Sequence, residues 1–424
     1  MSGRGDRGIV ASVVHASSGP CLVTGVSELY TPEERLADAA FVVAGGAFGW
    51  VGREADAPPE AAALPRVDLG GRGVLPGLVD CHTHLVWTGS RVGEYVLRAR
   101  GASYEALLAA GGGIHATVRA TRAAPSELLH ELARRRADAF LRGGVTTLEV
   151  KSGYGLTTEA ELRQLAVARR LGEAGPQRVT TTLLAHVPDP AVDRAYHLDR
   201  FVSETVPEAA RRGLADAVDV FVDRGAFTLD EARRVLEAGL AAGLHVKAHA
   251  EQLTNTGAAR LVAELGGVSA DHLERATDED LAALAAAGTV AVVLPGAAAV
   301  LGAGLPAAER FRAAGVKVAV ASDHNPGSSP LFGLLPALQL AVSLYGFTAE
   351  EALLGATANA ADALRLAGVG RIRPGAPADF VVSAGSEALL PLYAWGEPQV
   401  AAVVVGGVTA WRAPWADPPR ATRT

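Results

Sequence analysis

Residues 80–91 read DCHTHLVWTGSR, and two histidines stand one residue apart at the end of an apolar run. Successive side chains of an extended segment point to opposite faces, so His82 and His84 share a face and can meet one metal ion. Taken alone, the pair also suits a hydrogen-bonded core histidine followed by a loop histidine. The other histidines decide, and the chain has 11 in all. Five of them, His82, His84, His186, His249 and His272, close short apolar runs, and a further run closes in Asp323.

Those runs are the elements that must position the chemistry. From residue 74 to about 323 the chain alternates Val/Leu/Thr-rich stretches with stretches rich in Ala, Leu, Glu and Arg. The strand-like runs are GVLPGLVDCH, GVTTLEV, RVTTTLLAH, DAVDVFVD, GLHVKAH, GVSADH, GTVAVVL and GVKVAVASD. Capping boxes open two of the helical stretches, at Thr228–Glu231 and Thr277–Asp280, and Gly143 and Gly288 stand where helices should stop. Eight strands, most followed by a helix, predict a (β/α)8 TIM-like barrel in an α/β fold, ahead of a doubly wound sheet. In a barrel the C-terminal strand ends gather on one face, which is where this fold carries catalysis. Three histidines and an aspartate there can hold a divalent ion through nitrogen and oxygen and leave a position for water. The ion would lower the pKa of that water and supply a nucleophile near neutral pH.

The flanks read differently. Residues 20–73 hold the pieces CLVTG, AAFVVAGG and FGWVG, and the C-terminal stretch answers with ADFVVSA and VAAVVVGGVTAW. These predict a small β-sandwich domain built from both termini, with its parts at 1–73 and 371–424 around a barrel of 74–370.

Bulk composition narrows the function classes. The chain is 49% hydrophobic and 20% charged over 424 residues, enough for one large core and a smaller one. A net charge of −7 and the lack of a long basic block argue against nucleic-acid binding. Two cysteines, Cys21 and Cys81, make no disulfide framework and suit a reducing cytoplasm. The N-terminus has no apolar segment of the kind a secretory signal needs. The uncharged stretch Gly288–Ala308 is long enough to span a membrane, but its prolines and glycines predict a buried strand and an active-site loop instead.

The motifs PGLVDCHTH, HAEQL and SDHNPGSSP resemble the amidohydrolase superfamily, and EVKSGYGL, GGGIHATVRATR and HTHLVWTGSR narrow the likeness to the imidazolonepropionases. The likeness runs from about residue 20 to residue 410. It implies hydrolysis of the ring C–N bond of 4-imidazolone-5-propanoate to N-formimidoyl-L-glutamate in histidine breakdown, with one bound Zn or Fe ion. By the same likeness His82, His84, His249 and Asp323 are metal ligands. His272 and Asp323 are the catalytic pair, and Arg91, Tyr104, Tyr154, His186, Gln252, Asn325, Gly327 and Ser328 surround the substrate. A homodimer is implied on the same ground. The residues themselves support part of this, since a guanidinium at Arg91 offers a fixed fork of donors for a propionate carboxylate.

Two positions depart from the family pattern. Cys81 stands where proline is frequent, and alternation aims it away from the metal. His324 stands where an aromatic is common. Two rival functions are weighed against hydrolysis. Related ring deaminases carry Glu three residues after the strand-five histidine, where this chain has Gln252, and Glu251 should point elsewhere. A non-catalytic scaffold would have lost ligands, and none is missing. Two-metal relatives use a carboxylated lysine at the end of the fourth strand. The three lysines Lys151, Lys247 and Lys317 all lie away from DAVDVFVD in sequence, which predicts a single metal.

Overall fold

In the computed structural model, which describes residues 19–31, 33–101, 112–304 and 306–416, both ends of the chain feed one sheet. Its first strands are β1 (Cys21–Tyr30), β2 (Arg35–Ala44), β3 (Ala47–Arg53) and β4 (Arg66–Pro76). The middle of the chain supplies β5 (Leu78–Asp80), β6 (Val145–Lys151), β7 (Arg178–Ala185), β8 (Ala217–Phe221), β9 (His245–Ala250), β10 (Ser269–His272), β11 (Val290–Val293) and β12 (Val318–Val320). The chain then returns to the first sheet with β13 (Phe380–Ser383), β14 (Val400–Val405) and β15 (Val408–Arg412).

The small sheet runs β15-β14-β13-β4-β1-β2-β3. β1 and β4 pair in parallel, and the other neighbours pair antiparallel. It curls over its own core: Ala47 bridges to Pro377, and the Phe48 amide donates to the Ala376 carbonyl at 2.8 Å. Phe41, Phe48 and Phe380 meet inside with ring centroids 5.1–6.2 Å apart. The two faces of the expected sandwich are thus arms of one continuous sheet.

The eight central strands pair in parallel and in sequence order from β5 to β12. The ring closes just beyond the strand ends. Thr83 bridges in parallel to His324, the Asp323 amide donates to the His82 carbonyl at 3.0 Å, and the His84 amide donates to the His324 carbonyl at 2.9 Å. The barrel expected from the alternation is present. The run GVLPGLVDCH, however, serves two sheets: Pro76 ends β4 and Leu78 starts β5. Gly77 is the joint, because a Cβ there would lie 2.3 Å from the Thr146 hydroxyl.

Helix ends follow their local chemistry. Thr228 with Glu231 and Thr277 with Asp280 form both halves of the capping boxes, and Gly288 ends its helix in the left-handed region at φ 69°. One local expectation is overturned. After β11 the chain does not form a loop: Pro295–Leu301 is a short helix, begun by a proline whose missing N–H costs nothing in a first turn and ended by left-handed Gly302. Among the described residues no helix is long and apolar enough to cross a membrane.

Candidate functional site

His249 and His272 lie in the last residues of β9 and β10. His82, His84, His186 and Asp323 lie one to four residues past the ends of β5, β7 and β12, in the segments that close the ring. The C-terminal ends of five strands therefore aim at one point. The His82 ring lies 4.6 Å from that of His249 and 5.4 Å from that of His84. His82 Nε2 and His84 Nε2 are each 3.4 Å from Asp323 Oδ1. One ligand atom from each of His82, His84 and His249 falls within 4.8 Å of the others, and the same holds for His82, His272 and Asp323. All five residues are buried.

Backbone strain marks the same rim. Glu251, His272, Leu273 and Asp323 all adopt positive φ, at 57°, 83°, 71° and 51°. Non-glycine residues hold such angles only where the surroundings over-determine them, and they cluster at functional sites.

The donor set fits a cation. Asp271 Oδ2 lies 2.6 Å from His82 Nδ1, so the ring proton belongs on Nδ1 and Nε2 presents a lone pair to the site. His82 Nε2 is nonetheless buried without a hydrogen-bond partner among the described residues. His249 repeats the arrangement, with its Nδ1 3.1 Å from Asp219 Oδ1. A buried imidazole nitrogen with nothing to accept from is costly unless something electropositive sits before it.

Beneath the histidines the barrel is charged rather than aliphatic. Lys151 Nζ lies 2.7 Å from Glu149 Oε1, 2.7 Å from Asp219 Oδ2 and 3.6 Å from Asp271 Oδ2. Lys247 Nζ lies 3.0 Å from Glu149 Oε1 and 3.5 Å from Asp271 Oδ2. This corrects the reading that the lysines stand away from the fourth strand: Lys151 is remote from Asp219 in sequence and touches it across the barrel. Burial presses Lys151 toward neutrality, but Asp219, Glu149 and Asp271 outweigh it and hold the amine well above the usual lysine range. It is an ammonium, whereas a bridging carbamate needs a neutral amine. Glu149, Asp219, Asp271 and Asp323 set four carboxylates against the two ammonium groups of Lys151 and Lys247, an excess of negative charge that favours a cation at the histidines. Asp80, at the margin, is pushed up to about 7 by burial.

Several of the remaining residues lie around this centre. Tyr154 and His186 flank His84, with ring centroids 5.9 and 5.7 Å from it. Phe221, which the sequence reading did not single out, packs 5.8 Å from His249 and 6.1 Å from His186 as an apolar wall. Asn325 folds the last loop: its amide donates to the Asp323 carbonyl at 2.7 Å, and its Oδ1 accepts from the amides of Gly327 and Ser328 at 2.8 Å. The Ser328 hydroxyl reaches Asp323 Oδ2 at 3.5 Å. A Cβ on Gly327 would lie 3.4 Å from Arg91 Nη1 and 3.4 Å from Asn325 Oδ1, so the guanidinium comes close to this loop.

Arg91 is paired with Glu94 at 2.6 Å, and its Nε is buried without a partner among the described residues. Glu94 in turn accepts from the Gly113 amide at 2.9 Å and is a neighbour that the sequence reading missed. Gln252 is half-buried on the loop after β9. The Glu251 carboxylate turns away to accept from the amides of Thr256 and Ala259. His272 Nδ1 lies 3.3 Å from Glu274 Oε1. Tyr104 lies outside the described residues.

The two departures from the family pattern are both turned outward. Cys81 packs against Val79, Ala319 and Ala321 behind the barrel wall. His324 sits among Trp87, Phe140 and Phe332, its Nδ1 2.6 Å from the Leu331 carbonyl, and burial pulls it down to about 4. An aromatic pocket explains why an aromatic residue also fits there.

Comparison with known proteins gives the family and the fold. The profile of the amidohydrolase family matches residues 74–410. An imidazolonepropionase from Paracidovorax citrulli is 47% identical over 387 residues, covering 89% of this chain and 93% of its own. One from Cereibacter sphaeroides is 49% identical over 353 residues, covering 82% and 88%. Among solved structures, a mutant atrazine chlorohydrolase from Arthrobacter aurescens, complexed with zinc and atraton, superposes with a TM-score of 0.70 at 17% identity over 92% of this chain and 94% of its own. An adenosine deaminase from Xanthomonas campestris with bound zinc gives 0.66 at 20% identity over 92% and 93%. At such identities these two structures speak to the fold alone.

Proposed function

Because the chain belongs to the amidohydrolase family, and within it to the imidazolonepropionases, we propose that its barrel mouth hydrolyses the cyclic amide of 4-imidazolone-5-propanoate to N-formimidoyl-L-glutamate. The carrying observation is the convergence of His82, His84, His249 and Asp323 on one buried point that His82 Nε2 faces without a partner. These four residues would hold one divalent or trivalent ion, Zn or Fe. When bound, the ion polarises the ring carbonyl and makes a water acidic enough to attack near neutral pH.

The chain's own groups do the rest. Arg91 takes the propionate carboxylate, and the Asn325–Gly327–Ser328 turn keeps that anion close to Asp323. Tyr154, His186 and Gln252 frame the ring, and Tyr104 joins them on this reading. Ring opening forms a bond from water oxygen to the carbonyl carbon and breaks that carbon's bond to the ring nitrogen. Asp323 accepts the proton that the water loses. His272, oriented by Glu274, delivers a proton to the departing nitrogen. A ring deaminase is disfavoured, since the Glu251 carboxylate is spent on the amides of Thr256 and Ala259.

The enzyme works in the cytoplasm as a homodimer, without nucleic acid or membrane. The unpaired, buried Cys21 and Cys81 support the cytoplasmic setting, and the net charge of −7 supports the absence of nucleic acid. The test is product identification: the purified enzyme should consume the ultraviolet absorbance of the imidazolone and yield N-formimidoyl-L-glutamate by mass spectrometry. No turnover of this substrate by metal-loaded protein would overturn the proposal.

A further inference from the structure

We infer that Lys151, acting through Asp219 and Asp271, is a positioning residue that orients the two histidines His82 and His249. The inference rests on the proposed metal site and extends it inward. His82 and His249 come from different parts of the barrel, and each leans on a carboxylate from another strand: Asp271 on β10 lies 2.6 Å from His82 Nδ1, and Asp219 on β8 lies 3.1 Å from His249 Nδ1. The Lys151 ammonium, at the end of β6, lies 2.7 Å from Asp219 and 3.6 Å from Asp271. One cation therefore ties both carboxylates, and through them fixes which nitrogen of each ring carries the proton.

The placement of these charges argues for a role beyond stability. Barrel interiors are ordinarily filled with branched aliphatic residues. Here Glu149, Lys151, Asp219, Lys247 and Asp271 have side chains 0–1% exposed. Buried ion pairs add little to stability, and apolar side chains of similar size often serve as well or better. Groups that steady metal-ligating histidines, by contrast, change metal affinity by about ten- to a hundredfold when removed. Lys247 is not equivalent. Among the described residues its ammonium pairs with Glu149 and Asp271 and donates to the Cys81 carbonyl; Asp219 is its register partner on β8, but the ion pair to Asp219 is made by Lys151.

The test compares the wild-type holoenzyme with Lys151→Met and with Lys151→Gln, which keeps donors without the charge. Each is loaded with Zn, and loss of the ion to a chelator is followed by elemental analysis. The thermal midpoint is read with and without metal. Both variants should bind the ion about ten- to a hundredfold more weakly, and the rise in midpoint on metal addition should shrink. KM for the imidazolone should be unchanged, because Lys151 touches no substrate. Equal losses of midpoint in metal-free and metal-loaded protein, with unchanged metal affinity, would reduce Lys151 to a structural role and overturn the inference. If neither Lys151 variant folds, Asp271→Asn carries the test, since it removes the charge behind His82 and conserves its shape; unchanged metal affinity there also overturns it. Wild-type protein that holds no ion would sink the metal site itself, a result distinct from either of these.

Discussion

Replacing Arg91 by Ala should raise the KM for 4-imidazolone-5-propanoate by more than the loss of one contact, because of Glu94. A hydrogen bond from a guanidinium to a carboxylate contributes about 1.5–3 kcal/mol, which alone is roughly ten- to a hundredfold in binding. In the folded chain that guanidinium is already held by Glu94 at 2.6 Å. Truncation leaves the Glu94 carboxylate without its cation and facing the substrate's own anion. At a separation of about 7 Å and an effective dielectric constant of about 20, the repulsion is roughly 2 kcal/mol. The Glu94 side chain is 14% exposed, so water screens it and about 1 kcal/mol is the better figure. The sum, about 2.5–4 kcal/mol, corresponds to a KM raised roughly a hundred- to a thousandfold. Steady-state kinetics followed by imidazolone absorbance should show this with little change in kcat. The double variant Arg91→Ala/Glu94→Gln should recover about fivefold of the loss, the equivalent of the relieved repulsion. An analogue with a neutral propionamide side chain should be nearly indifferent to the substitution. An unchanged KM in Arg91→Ala, or an equal loss with the neutral analogue, would remove Arg91 from the carboxylate site.

His249→Ala should abolish both bound metal and turnover while circular dichroism shows the barrel intact; retained metal would remove His249 from the ligand set. His272→Asn should lower kcat by about a hundredfold or more, the scale of a positioned acid–base group, and keep its metal. Because His272 also clusters with His82 and Asp323, metal loss in that variant would make it a ligand instead. His324→Phe should keep both metal and kcat, since the ring already sits among aromatics and bonds to Leu331; loss of metal would show that His324 is a ligand.

Much of this site could be read from the chain because barrel chemistry lies at strand ends. Apolar runs that close in His84, His186, His249 and His272 announce themselves, and a strand's alternation puts His82 beside His84. The charged layer beneath was less visible. Glu149 and Lys151 alternate in LEVK as inward-facing residues must, and Lys247 and His249 do so in HVKAH. The missing information was the cross-strand partner, since Lys151 meets Asp219 at 2.7 Å across 68 residues of sequence. The Arg91–Glu94 pair was hidden for another reason: its i, i+3 spacing is set by the start of the helix Val92–Ala99, where a serine, Ser90, accepting from the Val92 amide at 3.3 Å, is a weak local signal. At Gly77 the apolar pattern runs on unbroken while the chain changes sheets, and the close approach of Thr146 that requires glycine is a tertiary fact.

The central claim is that one ion, held by His82, His84, His249 and Asp323, is what the hydrolysis depends on. Metal content and turnover measured on the same sample, during chelation and again during titration with Zn, test it directly. Turnover of 4-imidazolone-5-propanoate should fall in proportion to the metal removed and return in full at one equivalent per chain. Full activity in metal-free protein, or activity that rises only with a second equivalent, would contradict the account.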